Sequence, residues 1–298
     1  MKGALAWART WTGEHSALAD YLELTKPSVT SLILMSTLVG YYMGIHGSWS
    51  LLALLHTIVG TLLIAAGTAA MNHYLEIESD GRMLRTENRP LPAGRLRPSR
   101  ALAFALVLAA AGALYLALAV NLLTSTLGLL TWASYLFLYT PLKRRTSLCT
   151  LVGAFPGSFP ILMGWTAARG TLLDSGGWLL YAILFLWQFP HFLAIAWMYR
   201  EDYARAGIQM LPVLDLPATV RQILGFSLVL LPVSLLPTVL GMTGKLYFAG
   251  AAALGIAFFY SGVRLARKRT AGEARRLLKA SVFYLPLLYV LLMLDKVS

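Results

Sequence analysis

Long stretches of the chain contain apolar residues and no charge, and they restrict the possible folds more than any other feature. One of them, residues 51–71, has the sequence LLALLHTIVGTLLIAAGTAAM. A helix that crosses the ~30 Å hydrocarbon core of a bilayer needs about 20 such residues. The stretches are continuously apolar and do not alternate, which argues against a transmembrane β-barrel. Because 58% of the 298 residues are hydrophobic and only 13% are charged, the sequence predicts an all-α, multi-pass membrane protein.

The apolar pattern predicts nine membrane spans, most of them joined by short connections. The predicted spans are 28–46, 51–75, 100–120, 122–140, 148–168, 177–199, 218–240, 246–263 and 278–294. Two connections, IHGSW after the first span and the corner at Val120–Asn121, are short enough to make neighbouring spans antiparallel. We therefore expect one helical bundle that forms a single domain over residues 1–298. Residues 1–27, with Trp7 and Trp11, are expected to be a cytoplasmic or interfacial N-terminal segment.

The distribution of basic residues predicts the orientation of the spans. If the N-terminus is cytoplasmic, all but three of the 25 Lys and Arg residues fall on the cytoplasmic side, the exceptions being Arg169, Lys245 and Lys296. This bias follows the positive-inside rule and places the C-terminus outside. It also accounts for the net charge of +12 without nucleic acid as a partner. The single Cys149 excludes a disulfide framework and a cysteine-based metal cluster.

Polar clusters follow spans two, four and six, so all three are predicted at the cytoplasmic face as one site. Asn72, Glu76 and Asp80 are spaced i, i+4, i+8 and would share one face of a helix, whereas Glu78 would point away. Their oxygens are hard ligands suited to Mg²⁺, and Asp202 beyond span six could complete a metal site. The alternative is a solvated helix end whose acids pair with nearby arginines.

Basic residues beside these acids favour a bound diphosphate. Arg82, Arg85 and Arg89 would lie near one another if the helix continued, and guanidinium groups suit bidentate phosphate binding. The positive-inside rule alone would explain the arginines but not the neighbouring acids. Further candidates are Lys143 and Arg144 after span four, which could instead only set topology, and Lys26 before span one, which could simply snorkel.

Two histidines are also candidate site residues. His191 lies within an apolar span, where ionisable side chains are rare and tend to face a cavity. It could be an iron or porphyrin contact, a proton donor or a satisfied core histidine. His73 adjoins Asn72 and is a weaker substrate-binding candidate.

Several blocks of residues 21–213, in order, resemble a known family. They are YLELTKPSV, NHYLEIESDGRMLRTENRPLPAGR, YTPLKRRT, GAFPGSFPILMGW and WQFPHFLAIAWMYREDYARAGIQMLP. These blocks resemble those of the UbiA-type intramembrane prenyltransferases, and among them the protohaem IX farnesyltransferase subgroup. By matching position, Asn72, Glu76 and Asp80 correspond to the first acidic motif of that family and Asp202 to an acid of the second. Lys143 and Arg144 fall in the block after span four, and His191 in the PHF block.

This resemblance implies nine helices around a central cavity and the transfer of a farnesyl group from farnesyl diphosphate to a vinyl group of haem B. Addition of water would give haem O and diphosphate. In such enzymes Mg²⁺ and basic residues stabilise the leaving diphosphate, while an apolar chamber protects the carbocation. It also implies a plasma (inner) membrane location, with terminal oxidase assembly or haem A synthesis machinery as recipients of the product.

The sequence departs from the family pattern at three places. Glu76 and Glu78 stand where related enzymes usually have aspartate, Met198 stands four residues before Asp202 where an acid is usual, and Ser28 follows Lys-Pro where Arg is common. Three alternatives also stay open. They are a prenyltransferase with a quinone-ring or other aromatic acceptor, a secondary transporter of an anionic solute, and a haem-binding scaffold without catalysis.

Overall fold

The computed structural model describes residues 16–47 and 49–297, and this part of the chain is mainly helical. The predicted interfacial tryptophans, Trp7 and Trp11, lie outside the described residues. The helices are α1 (Ala17–Leu24), α2 (Pro27–Gly44), α3 (Leu51–Leu75), α4 (Ile77–Gly81), α5 (Pro98–Ala119), α6 (Leu122–Ala133), α7 (Thr140–Leu142), α8 (Cys149–Arg169), α9 (Ser175–Met198), α10 (Arg200–Arg205), α11 (Leu211–Leu214), α12 (Leu216–Val239), α13 (Lys245–Lys268) and α14 (Ala271–Leu294). A π-helical stretch, Ser134–Tyr139, joins α6 to α7.

Eight helices in the described ranges are long and apolar enough to cross a membrane, so the multi-pass prediction is confirmed. They correspond to predicted spans two to nine, the fourth being the continuous segment Leu122–Leu142. The first predicted span is the 18-residue helix α2, which packs against α8 in the same bundle. With several Ser, Thr and Gly residues, α2 is not among those eight helices.

The last two spans are longer than predicted. The prediction left residues 264–277 between them because this segment is rich in Lys and Arg. In the structure α13 runs to Lys268 and α14 begins at Ala271, with the Thr270 hydroxyl accepting a hydrogen bond from Glu273 N. The basic residues stay on the helices because Arg264 and Arg276 pair with the buried Glu273 carboxylate, at 3.1 and 2.7 Å.

Glycines bring α2 and α8 into backbone contact. A Cβ atom at Gly40 would lie 2.0 Å from Ile161 O, and one at Gly164 would lie 1.9 Å from Thr37 O. Small residues allow such close approach, which membrane helices use in place of a hydrophobic driving force. Next to this pair, α9 packs against α8, α12 and α14 around one apolar core. This framework fixes the ends of α3, α7 and α9, which carry the polar clusters.

Candidate active site

The acidic motif lies where α3 passes into α4. Glu76 separates the two helices with φ −103° and ψ 11°, but the i→i+4 hydrogen bonds continue from Glu76 N to Asn72 O (3.0 Å) and from Asp80 N to Glu76 O (2.8 Å). Asn72, Glu76 and Asp80 therefore share a face and are buried, with 1%, 9% and 1% of their surface exposed. Glu78 points outward, with 60% of its side chain exposed.

Each of the three buried side chains on this face accepts a hydrogen bond from a basic side chain. Glu76 Oε1 accepts from Lys143 Nζ at 2.7 Å, and Asp80 Oδ2 accepts from Arg89 Nη1 at 2.6 Å. Burial alone would raise the pKa of Glu76, but the positive charges of Lys143 and Lys26 outweigh it and hold that pKa below its usual value. Glu76 is therefore charged, and each of the two acids forms an ion pair with one basic side chain.

Asn72 is held from two sides by residues of other helices. Its Oδ1 atom accepts from Lys26 Nζ at 2.5 Å, and its Nδ2 atom donates to Thr140 Oγ1 at 3.3 Å. Lys26 caps α2 in the left-handed conformation with φ 47°, a costly geometry for a residue with a long side chain before proline. Burial, with the nearby Arg89 charge, lowers the pKa of Lys26 to about 7. The backbone conformation at Lys26 thus directs its desolvated amine towards the face that carries Asn72 and the two acids.

A π-helical stretch positions Thr140 and Lys143, the two site residues at the end of the fourth span. Pro141 has no N–H to donate to the preceding turn, and the helix widens over Ser134–Tyr139 just before it. The Lys143 ammonium then lies 4.6 Å from the Tyr139 ring centroid, and Thr140 reaches Asn72. Burial by itself would lower the pKa of Lys143, but Glu76 raises it well above its usual value. Tyr139 and Thr140 were not predicted, although the Thr-Pro pair was a possible signal.

The arginines do not lie on a continuing helix, so that expectation is wrong. The helix ends at Gly81 and turns follow to residue 97, a segment in which Pro90 and Pro92 also exclude a continuous helix. The arginines therefore have separate partners. Arg89 binds Asp80, Arg82 and Arg144 share the exposed Glu78, and Arg85 lies 4.9 Å over the Tyr199 ring at the end of α9.

The three polar ends predicted to form one site do meet. Gln209 N, beyond span six, donates to Lys143 O, beyond span four, at 2.8 Å. Met83, beyond span two, packs in one apolar cluster with Ile208 and Met210. Asp202 on α10 is 8% exposed and pairs with Arg205 of its own helix. It therefore borders the site without a contact to the acids of α3 and α4 among the hydrogen bonds and ion pairs of the described residues.

Comparisons with known proteins identify the family. Residues 33–287 match the UbiA prenyltransferase family. The chain belongs to this family. It is 56% identical to protoheme IX farnesyltransferase of Solibacter usitatus over 94% of this chain and 99% of the relative, and 46% identical to that of Koribacter versatilis over 95% of each. The predicted relationship to intramembrane prenyltransferases is thus confirmed.

Solved structures of other proteins share the fold. A digeranylgeranylglyceryl phosphate synthase superposes with a TM-score of 0.78 at 18% identity and covers 93% of this chain and 98% of its own. A UbiA homologue from Archaeoglobus fulgidus bound to DMAPP and Mg²⁺ gives a TM-score of 0.68 at 14% identity, covering 92% and 99%. The all-α membrane fold expected from the sequence is therefore confirmed.

The donor set of this UbiA chain fits Mg²⁺ but not a closed metal cage. Within residues 16–47 and 49–297, no three His, Cys, Asp or Glu side chains form a group that could hold a metal ion. The oxygens of Asn72, Glu76 and Asp80 are nonetheless the hard donors that Mg²⁺ accepts. Proteins usually bind Mg²⁺ through one or two carboxylates and leave the other positions to phosphate and water. That arrangement suits a metal that enters with its substrate.

The two candidate histidines occupy different places. His73 is 2% exposed, and neither of its ring nitrogens has a hydrogen-bond partner among the described residues. His191 lies on α9, where Nδ1 is 2.8 Å from Ser281 Oγ and the ring stacks on Trp187. At 1.5 Å per residue, His191 is about 10 Å deeper in the bundle than the end of α9 at Met198. His73 therefore adjoins the acids and His191 does not.

Proposed function

We propose that the protein transfers a farnesyl group from farnesyl diphosphate to a vinyl group of haem B, giving haem O and diphosphate. The observation that carries the proposal is the likeness, over nearly the whole chain, to proteins named protoheme IX farnesyltransferase. The polar network at one end of an apolar bundle supplies the chemistry that such a reaction needs. The proposal includes a single domain, since helix packing continues from α2 to α14.

The basic side chains of the network act on the leaving diphosphate. Lys26, Arg89 and Lys143 come from separate segments and converge on the face that carries Asn72, Glu76 and Asp80. Mg²⁺, bound through one or two of these carboxylates with Asn72 and Asp202 beside it, would add positive charge where the leaving group becomes negative. The three basic groups can then turn from the acids to the phosphate oxygens. Preorganised charge of this kind lowers the barrier because it needs no rearrangement during the reaction.

The exposed basic residues and the histidines have secondary roles in the proposal. Arg82, Arg85 and Arg144 line the rim of the site and attract the anionic substrate. His73 lies against the diphosphate in this proposal, because it follows Asn72 in α3 and its buried ring nitrogens have no hydrogen-bond partner among the described residues. His191, deeper in the bundle, contacts the haem acceptor.

Water is the only reactant besides farnesyl diphosphate and haem B. The bond between farnesyl C1 and the diphosphate oxygen breaks, and its electron pair leaves with diphosphate. The vinyl group supplies the electrons for the new bond to C1, which leaves a cation on the vinyl carbon next to the porphyrin. Water adds there and loses a proton, giving a hydroxyethylfarnesyl substituent. Apolar helices protect the allylic cation from earlier capture by water.

The same proposal includes the orientation of the protein in the membrane and the membrane in which it lies. The N-terminus is cytoplasmic, the C-terminus is outside, and the site faces the cytoplasm of a plasma (inner) membrane, as the positive-inside rule favours. Terminal oxidase assembly or haem A synthesis machinery would receive the product.

Purified protein incubated with haem B, farnesyl diphosphate and Mg²⁺ tests the reaction. Mass spectrometry is expected to detect haem with an added farnesyl group and one water, and a reaction without Mg²⁺ should yield none. Prenylation of a quinone-ring acceptor in place of haem under the same conditions would reject the proposed acceptor.

A further inference from the structure

Ser281 contacts His191 inside the membrane-spanning part of the bundle. Ser281 lies on α14 and is fully buried, and its Oγ atom is 2.8 Å from His191 Nδ1 on α9. A hydroxyl in an apolar span is costly unless it has hydrogen-bond partners. The two residues are 90 positions apart in the sequence, so only the packing of α9 on α14 brings them together.

The hydrogen bonds of Ser281 determine which atom donates. A carbonyl oxygen can only accept, so Leu278 O, 2.7 Å away in the preceding turn of α14, favours an orientation in which the single hydroxyl hydrogen of Ser281 points to it. Ser281 Oγ can then only accept from His191, so Nδ1 carries the hydrogen. A neutral imidazole with a hydrogen on Nδ1 keeps a lone pair on Nε2. Ser281 therefore selects one tautomer of His191.

Trp187 holds the imidazole in the same orientation. Its Nε1 atom donates to Ser281 O at 3.0 Å, and its ring stacks on the His191 ring with centroids 4.5 Å apart and an interplanar angle of 21°. Both the hydroxyl and the carbonyl of Ser281 are thus used to fix His191, one directly and one through Trp187. The ring can neither rotate nor exchange its hydrogen without breaking one of these contacts.

The other side of the His191 ring is available to a ligand. His191 is partly exposed, and among the described residues it has no hydrogen-bond partner besides Ser281. Its Nε2 atom is not among the buried polar atoms without a partner, in contrast to both ring nitrogens of His73. A fixed lone pair on an accessible imidazole nitrogen is the usual donor to a transition metal.

We propose that Ser281 is a positioning residue that keeps His191 in the Nδ1–H tautomer, so that Nε2 binds the iron of the porphyrin acceptor. This inference rests on the proposed function for the identity of the acceptor. A hydrogen bond from the second ring nitrogen to an oxygen orients a ligating histidine and increases its basicity, and its loss typically costs 10–100-fold in metal affinity. If the bond only joins α9 to α14, its loss will affect stability but not the iron spectrum of the folded protein.

Ferric haem titrations of the full-length protein in detergent test this. Ser281→Thr and Ser281→Val are the informative pair, because the two side chains have nearly the same shape and only threonine can accept the bond. We expect Ser281→Thr to keep the wild-type Soret band and haem affinity. Ser281→Val and Ser281→Ala should bind about 10–100-fold more weakly, with a spectrum approaching that of His191→Ala. Ser261→Ala on α13, whose hydroxyl only bonds Ala257 O in its own helix, is the matched control.

Three outcomes would overturn the inference. They are equal affinities and spectra for the Thr and Val variants, an unchanged spectrum in His191→Ala, and ¹⁵N NMR of the wild-type protein with the hydrogen on Nε2. The NMR measurement needs no variant, so it decides the tautomer even if Ser281→Val does not fold. Farnesylation of haem with an unchanged His191→Ala spectrum would reject this inference alone. Haem binding through His191 without farnesylation would reject the proposed function alone.

Discussion

The Lys143 ammonium lies 2.7 Å from the Glu76 carboxylate, and both side chains are almost fully buried, at 13% and 12% exposed. This contact joins the end of the fourth span to the end of the second, 67 residues earlier. It places a positive charge beside an acid that we propose as a Mg²⁺ ligand. The resting site is therefore neutralised internally, and substrate and metal must replace these pairings when they bind.

Replacing the buried acid Asp80 tests the metal and diphosphate site. Asp80→Asn keeps an acceptor for Arg89 but removes the charge, so we expect the turnover number to fall about 10²-fold with little change in folding. Glu87→Gln is the matched control, since Glu87 is an exposed acid in the same connection. Steady-state kinetics over a range of Mg²⁺ concentrations will measure both. Wild-type turnover in Asp80→Asn would remove the metal from this motif.

Two neighbouring basic residues should differ strongly in their effect on stability. Lys143→Met leaves the Glu76 charge buried without its partner, which typically lowers the free energy of unfolding by about 3–5 kcal/mol. Arg144→Gln breaks an exposed pair with Glu78, worth less than about 1 kcal/mol. Thermal unfolding in detergent will compare them. The double variant Lys143→Met/Glu76→Gln should recover stability but not activity. Equal losses of stability in Lys143→Met and Arg144→Gln would contradict the buried position of the Lys143–Glu76 pair.

The lowered pKa of Lys26 predicts a pH dependence of stability in the absence of metal and diphosphate. Burial lowers that pKa from 10.5 to about 7 in the folded protein. Between these values the unfolded chain binds more protons than the folded chain, so stability rises with pH. Wild-type protein should therefore gain stability relative to Lys26→Met from pH 7 towards pH 10.5. A constant difference between the two melting temperatures across this pH range would contradict the lowered pKa of Lys26.

His73 is expected to reduce stability while supporting activity. A buried polar group without a partner costs about 1–3 kcal/mol, so His73→Leu should raise the melting temperature. Loss of one hydrogen bond to substrate should lower kcat/KM for farnesyl diphosphate about tenfold. His56→Leu is the control, because His56 Nδ1 is 2.8 Å from the Tyr115 hydroxyl and its replacement should lower stability. If His73→Leu is more stable and fully active, His73 has no part in catalysis.

The contact between α2 and α8 should tolerate no side chain at Gly164. A Cβ atom there would lie 1.9 Å from Thr37 O, so Gly164→Ala forces the backbones apart and should cost at least about 1–3 kcal/mol. Gly225→Ala on α12 adds the same methyl group where no other part of the described chain, apart from the adjoining backbone of α12, lies within 4 Å, and should stabilise by about 0.5–1 kcal/mol. Detergent melting curves for the two variants give the comparison. Similar behaviour would show that α2 and α8 can move apart freely.

The sequence predicted the parts of the site that depend on local spacing. Asn72, Glu76 and Asp80 share a buried face because the i→i+4 hydrogen bonds continue through Glu76, whereas Glu78 faces outward. It failed for the arginines, since the helix ends at Gly81 and each guanidinium then finds a separate partner. Thr140 was missed because its role depends on the π-helical stretch before Pro141. Metal ligation by these residues stays a prediction.

By itself the sequence determined the membrane class, the approximate spans and the three polar ends, because hydropathy and helical periodicity are local properties. Tertiary structure alone decided which charge neutralises which acid, and that Ser281 meets His191. Those contacts join residues 67 and 90 positions apart, and they exist because separate helices pack against one another. No spacing rule within one helix specifies such contacts, since they depend on the relative rotation and depth of separate helices.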